Sequence, residues 1–210
     1  MENKLEELGR RIKFKLTWAG KWSCTSKQSH ELTQALKNLK NCGYAQKMSD
    51  GAFTGNLALR VEDQLIISRS RRMGGALELE DFVKVLFFDN KKWEAQYMSI
   101  REEIEPSSDT PLYWKSLIEI PVKFGWKKAP VAAIHGHAFE SELDAIRLGV
   151  PISDKLTEFC TPKDSAALEE LLKKYPYPYH KVFIRKGHGF FILGSSISEL
   201  NSIALGLLKK

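Results

Sequence analysis

Cysteine is scarce. Cys24, Cys42 and Cys160 are odd in number and show no C-x-x-C spacing, which argues against a disulfide framework and against a cysteine-based zinc knuckle. Long apolar runs are missing as well. No stretch reaches the roughly 18 apolar residues of a spanning helix, and the opening MENKLEELGRR is charged where a signal peptide needs an apolar stretch. Neither an internal repeat nor a low-complexity tract is visible. These absences point to a soluble chain in a reducing cytoplasm, with no membrane partner.

What is present fits one core. A hydrophobic fraction of 43% over 210 residues fills a single domain, 1–210, and is short for two. The net charge of +6 comes from 32 Lys and Arg scattered among 26 acidic residues. That balance suits a small anion as well as a polyanion, but RSRR and a few Lys pairs come with no recognition motif, so no nucleic-acid partner is expected.

Leu5, Leu8, Ile12 and Leu16 recur at three- and four-residue steps, predicting a helix over NKLEELGRRIKFKLTWAG. A second helix is expected from about Ser29, carried by Leu32, Leu36 and Leu39 and ended at Gly43, so residues 1–45 read as a helical N-terminal part. From Phe53 the period changes: NLALRV, QLIIS and VKVLFF suggest a strand meander. Ser107 or Ser108 can cap a helix with Asp109 in its first turn and Pro111 near its start. Then follow a buried strand APVAAIHGH, a short helix AFESELDAIRLG and a longer one PKDSAALEELLKKY. HKVFIRKGHGFFILG reads as one strand or a bent pair, and SSISELNSIALGLLKK as a helix capped by Ser195 or Ser196. Strand runs joined by short turns favour a mixed or antiparallel sheet covered by helices over a doubly wound one.

Only five histidines occur, and two stand together in VAAIHGHAF. Side chains two apart on a strand share a face, so His135 and His137 present adjacent imidazoles at the strand's carboxyl end. His188 follows the apolar run VFI much as His135 follows VAAI, and is flanked by Gly187 and Gly189. Two neighbouring strands ending at one edge would bring the three rings together as an open metal site. The plain alternative is a pair of hydrogen-bonded or part-exposed histidines. His30, at a helix start, and His180, in the loop-like YPYPYH, have no spacing that demands a metal.

In order, EPSSDTPLY, VAAIHGHAF and VFIRKGHGFFILGSSISEL resemble the class II aldolase and adducin family, with its Pro-Ser-Ser-acidic helix start, His-x-His strand and later His-Gly. FTGNLALR is similar to its Ser-Gly-Asn segment, LIISRSR to its Ile-Thr-Pro-Ser-Gly segment, and LELEDFVKV to its Leu-x-x-Glu-Asp run. The resemblance spans about Gly51 to Leu207; the first 45 residues match poorly. It implies a three-layer α-β-α fold of the α/β class, with a mixed, largely antiparallel central sheet. It also implies a divalent metal ion, usually Zn2+, on His135, His137 and His188, with Asp109 moving a proton.

The activity implied is that of a metal-dependent carbon-carbon lyase, cleaving a small sugar phosphate by retro-aldol chemistry through a metal-stabilised enediolate. An epimerase or dehydratase would share that intermediate, and the aspartate form Ser-Ser-Asp-Thr-Pro is closer to the family's pentulose-phosphate epimerases. A non-catalytic adducin-like binding module is the rival from another class. By the same resemblance Thr54, Gly55, Asn56, Ser68, Ser70, Ser107 and Ser108 line a phosphate pocket, although turn and capping chemistry uses the same residue types. A homotetramer is implied, with IALGLLKK, Trp18 and Trp22 as interface or core.

Several positions depart from the family pattern. Tyr113 stands where histidine is common, Gly136 where threonine is, and Arg69 and Arg71 where proline and glycine are. The added arginines could grip an anion, block the pocket or face solvent. The sequence ends at Lys210 without the family's tyrosine-bearing tail, so a second acid comes from elsewhere or the reaction does not need one. Glu140, Glu142 and Glu158 are candidates, though solvated carboxylates are the plainer reading.

Overall fold

Period-two burial builds most of the framework in the computed structural model, which describes residues 12–72 and 79–208. Strand β1 (Lys15–Lys21) leads to helix α1 (Ser26–Asn41), then to the meander β2 (Asn56–Val61), β3 (Gln64–Ser68), β4 (Phe82–Asp89) and β5 (Glu94–Ser99). Helix α2 (Thr110–Trp114) continues through a π-helical stretch, Lys115–Glu119, into α3 (Ile120–Lys123). The remainder is β6 (Ala132–Gly136), α4 (Glu142–Leu148), α5 (Pro162–Lys174), β7 (Val182–Arg185), β8 (Gly189–Gly194) and α6 (Ile197–Leu207).

The eight strands form one sheet in the order β1-β5-β4-β3-β2-β6-β8-β7. Every neighbouring pair is antiparallel except β1 with β5. Alternation assigns side chains to two cores. Ala133, Phe183 and Phe191 face Leu112, Leu117 and Leu172 of the α2–α3 and α5 layer. Ala132, Ile134 and Ile192 face Leu36, Leu148 and Leu200 of α1, α4 and α6. The expected three-layer arrangement and mixed sheet are therefore present.

Helix α1 ends as its composition suggests: Thr25 caps its start, and Gly43 follows the last turn at φ +73°. One expectation is overturned. Residues 15–21 are not helical but form an edge strand paired with β5, while Leu5 and Leu8 lie outside the described residues. The reason is that a four-residue step belongs to both periods. Ile12 and Leu16 fit a helix, yet Phe14 and Trp18 complete an every-second-residue stripe packed on the core. Trp22 packs on the opposite core, and both tryptophans are half-buried. Strand β5, unread in the sequence, hides in a polar run whose alternate members Ala95, Tyr97 and Ser99 are buried.

Sheet register places the site. Asn56 pairs with His135, and His135 with Phe191, so β2, β6 and β8 end together at one rim beside the start of α2.

Candidate metal centre

His135 stands near the end of β6, fully buried, with Nδ1 2.7 Å from the Phe190 carbonyl. A carbonyl only accepts, so Nδ1 carries the proton and Nε2 keeps its lone pair. His137 follows the strand, its backbone tied to Tyr44 O at 2.9 Å and to the Gln46 side chain at 3.0 Å. His188 sits in the β7–β8 turn, where its N–H donates to Arg185 O at 2.9 Å. The turn needs glycine: φ is +71° at Gly187 and +132° at Gly189, and a Cβ on Gly189 would lie 2.1 Å from the Gly136 carbonyl.

The three rings converge, with centroids 4.8, 4.8 and 4.9 Å apart and one nitrogen of each within 4.8 Å of the others. Tetrahedral zinc with bonds of about 2.1 Å needs nitrogens ~3.4 Å apart, so the rings would draw together around an ion. The donor set fits a metal for a second reason. His135 Nε2 and His188 Nε2 are buried without a hydrogen-bond partner among the described residues, which is costly for acceptors that bind nothing. Burial pulls His135 down to about 3 against the opposing pull of Asp109, and burial with nearby Arg185 pulls His188 well below the ordinary histidine value. Both are neutral at pH 7, the form that binds a divalent ion.

Asp109 occupies the N-cap position of α2 but makes no capping bond; the expected Ser107 or Ser108 cap is replaced by this arrangement. Its side chain turns into the site instead. Asn56 Nδ2 donates to Oδ2 at 2.8 Å, Arg185 Nη1 to Oδ1 at 3.3 Å, and His135 Nε2 lies 4.0 Å away. Tyr113, at the position where histidine was expected, sets Asn56: its hydroxyl lies 2.5 Å from Asn56 Oδ1 and 2.9 Å from Asn56 O. Burial would raise the Asp109 carboxyl, but the His135 ring and the Arg185 guanidinium hold it below the usual carboxylate range. Because His135 and His188 are neutral at pH 7, Arg185 is the lasting cation beside Asp109.

Arg185 was not singled out from the sequence. It ends β7 facing the same side as Phe183, and its Nη2 also bonds Asp164, which in turn accepts from Thr157 Oγ1 and Cys160 N, each at 3.0 Å. The available signal was an arginine at an inward position of an apolar strand. Asp164 read only as a first-turn helix residue.

The seven phosphate candidates divide. Asn56 spends its amide on Asp109 and Tyr113. Ser68 is fully buried and accepts from Leu57 N at 3.2 Å, while Ser107 Oγ accepts from Asp109 N at 3.2 Å. Thr54 Oγ1 accepts from Gln46 N at 2.8 Å. Gly55 adopts φ +76° against the His135 carbonyl, and Ser70 and Ser108 are half-buried. Of the candidate second acids, Glu142 pairs with Lys186 and Glu158 with Lys13 at the surface, and Glu140 is exposed. His30 is exposed, and the His180 ring packs on Tyr175.

No family model and no curated protein matches the chain. Solved structures do, and the fold they share with it is that of the class II aldolases. A sugar-phosphate aldolase from Thermotoga maritima superposes with a TM-score of 0.60 at 12% identity, over 88% of this chain and 93% of that one. An L-fuculose-1-phosphate aldolase from Thermus thermophilus gives 0.58 at 17%, over 88% and 91%. The N-terminal class II aldolase domain of a conserved protein from Thermoplasma acidophilum gives 0.53 at 13%, over 90% and 94%. Among the described residues no helix is long and apolar enough to cross a membrane.

Proposed function

We propose that this protein is a cytoplasmic, metal-dependent lyase that cleaves a small sugar phosphate by retro-aldol chemistry. The observation that carries the reading is the convergence of three imidazoles with two buried, unpartnered Nε2 atoms beside an ionised, fully engaged carboxylate. His135, His137 and His188 would hold the divalent ion, zinc best matching three nitrogen donors. A bound ion supplies Lewis-acid stabilisation of negative charge developing on substrate oxygen.

The chain's own groups do the rest. In cleavage Asp109 would accept the proton of the hydroxyl whose oxygen becomes the aldehyde carbonyl and return it to the carbon freed by the broken carbon-carbon bond. Asn56 and Arg185 fix its two oxygens, and Tyr113 fixes Asn56, so the base is oriented before substrate arrives. Gly55, Ser70, Ser107 and Ser108 line the phosphate end, with Thr54 and Ser68 bracing the loops behind them. The base is an aspartate, which favours an epimerase as the second reading. A homotetramer, implied by the resemblance of the sequence to the class II aldolase and adducin family, is the proposed assembly.

Metal analysis of the purified protein, followed by a screen of ketose phosphates for release of aldehyde and dihydroxyacetone phosphate, tests the lyase. Stoichiometric zinc with cleavage is the expected result. Inversion without net cleavage would replace it with the epimerase, and absence of bound metal after zinc loading would overturn both.

A further inference from the structure

The segment SRSRR after β3 carries three arginines, and the fold gives each a different setting. Arg69 donates from Nε to Asp81 Oδ1 at 3.0 Å and is thereby paired. Arg71 leaves its side chain 67% exposed, 3.9 Å from Asp50. Arg72 turns inward and is only 5% exposed. Among the described residues its one hydrogen bond is long, Nη2 to the Gly55 carbonyl at 3.4 Å, and its buried Nε has no partner. Burial draws its pKa down, and Asp81, already bonded to Arg69, offsets this only in part. A buried guanidinium with one free edge is costly unless an anion completes it.

Its surroundings say where that anion would lie. Phe53 N–H donates to the Arg72 carbonyl at 2.9 Å, pinning Arg72 to the loop that carries Thr54 and Gly55. Ser70 N–H donates to Glu105 O at 2.9 Å and Ser107 N–H to Ser68 O at 3.1 Å, joining the same segment to the Ser107–Ser108 loop. A Cβ on Gly55 would lie 3.3 Å from the His135 carbonyl, so this junction abuts the histidine cluster. Backbone bonds thus join three hydroxyl-bearing segments to one another, and one of them carries this under-paired cation.

We infer that Arg72 is the anion receptor of the substrate site, taking a phosphate monoester on its Nε–Nη edge while neighbouring hydroxyls serve the remaining oxygens. The inference rests on the sugar-phosphate reading above and adds a specificity residue to it. A phosphate monoester fits better than a carboxylate, because its three terminal oxygens use the arginine fork together with Ser70, Ser107 and Ser108. Arg69 and Arg71, the arginines that stand out in the sequence pattern, are excluded by their pairing and exposure.

The test titrates inorganic phosphate into the full chain, with and without zinc, by calorimetry, for wild type, R72Q, R72K and the surface control R71Q. R72Q should weaken phosphate about tenfold or more, R72K should fall between, and R71Q should match wild type. Circular dichroism and zinc content check that each variant folds; if R72Q does not, R72K decides, since it keeps the charge but loses the planar edge. Phosphate affinity in R72K and R72Q within about twofold of wild type, or no phosphate binding by wild type, overturns the inference. Kinetics separate the two readings. Cleavage of an unphosphorylated ketose without any Arg72 effect keeps the lyase and removes the receptor; Arg72-dependent phosphate binding without turnover of any ketose does the reverse.

Discussion

Removing the Arg185 guanidinium would leave Asp109 and Asp164, both buried, without the cation that bonds them. Arg185→Met should therefore cost about 3–5 kcal/mol of stability in urea unfolding, the penalty of breaking a buried ion pair from one side, and Arg185→Lys less. At the metal, His188→Ala should lose zinc on dialysis, whereas His30→Ala and His180→Ala should retain it; zinc retention by all three would contradict the ligand assignment. The convergence of His135, His137 and His188 was legible because H-x-H and a later His-Gly each follow an apolar strand run. Their supports were not. Arg185 and Asp164 lie 21 residues apart and look like a strand-end cation and a first-turn acid. Only the packing of β7 against the start of α5 makes them partners. The same holds for Asn56, whose amide reads as a phosphate donor until Tyr113 and Asp109 claim both ends.

Elements place these residues, and two glycines decide how closely. Gly189, at the start of β8, lies against the Gly136 carbonyl of β6 with room for no side chain, so Gly189→Ala, strained at φ +132° and clashing with backbone, should cost at least about 2 kcal/mol and loosen zinc by displacing His188. Helix α6 offers a test by pH. Glu199 is pulled down to about 2, first by the bond from Lys181 and then by the Ser195 N–H and hydroxyl. Its folded pKa lies below its ordinary value of 4.5, so its contribution is complete above about pH 4.5 and is lost as pH falls toward 2. Glu199→Gln should remove about 1 kcal/mol at pH 7 and flatten the stability curve across that window, as read by chemical denaturation at several pH values. Helices were readable from caps and leucine spacing, and the meander from alternation. The strand at 15–21 was misread because Ile12 and Leu16 satisfy both periods. Strand β5 escaped because its buried members include Ser99 and are flanked by Glu94 and Gln96.

At the scale of the molecule, the Nε2 atoms of His135 and His188, buried without a partner among the described residues, leave the fold open to stabilisation by a metal ion. Zinc at about a thousand times its Kd should add about 4 kcal/mol, raising Tm by roughly 8–16 °C, and EDTA should reverse the shift. An unchanged Tm would mean that the rings do not bind the ion in the native state. The scattered charges of the sequence are paired in places at the surface, Lys13 with Glu158 and Lys186 with Glu142 among them. The π-helical stretch Lys115–Glu119 has a further consequence. It inserts one extra residue between the turn that presents Asp109 and the segment at Ile120 that anchors the layer to the sheet. A one-codon deletion there would let the helix rewind to the α repeat with the segments on either side still in phase, whereas the same deletion in a regular α turn would swing everything beyond it by about 100° about its axis. Loss of one residue is therefore better tolerated within this stretch than in the α turns that flank it.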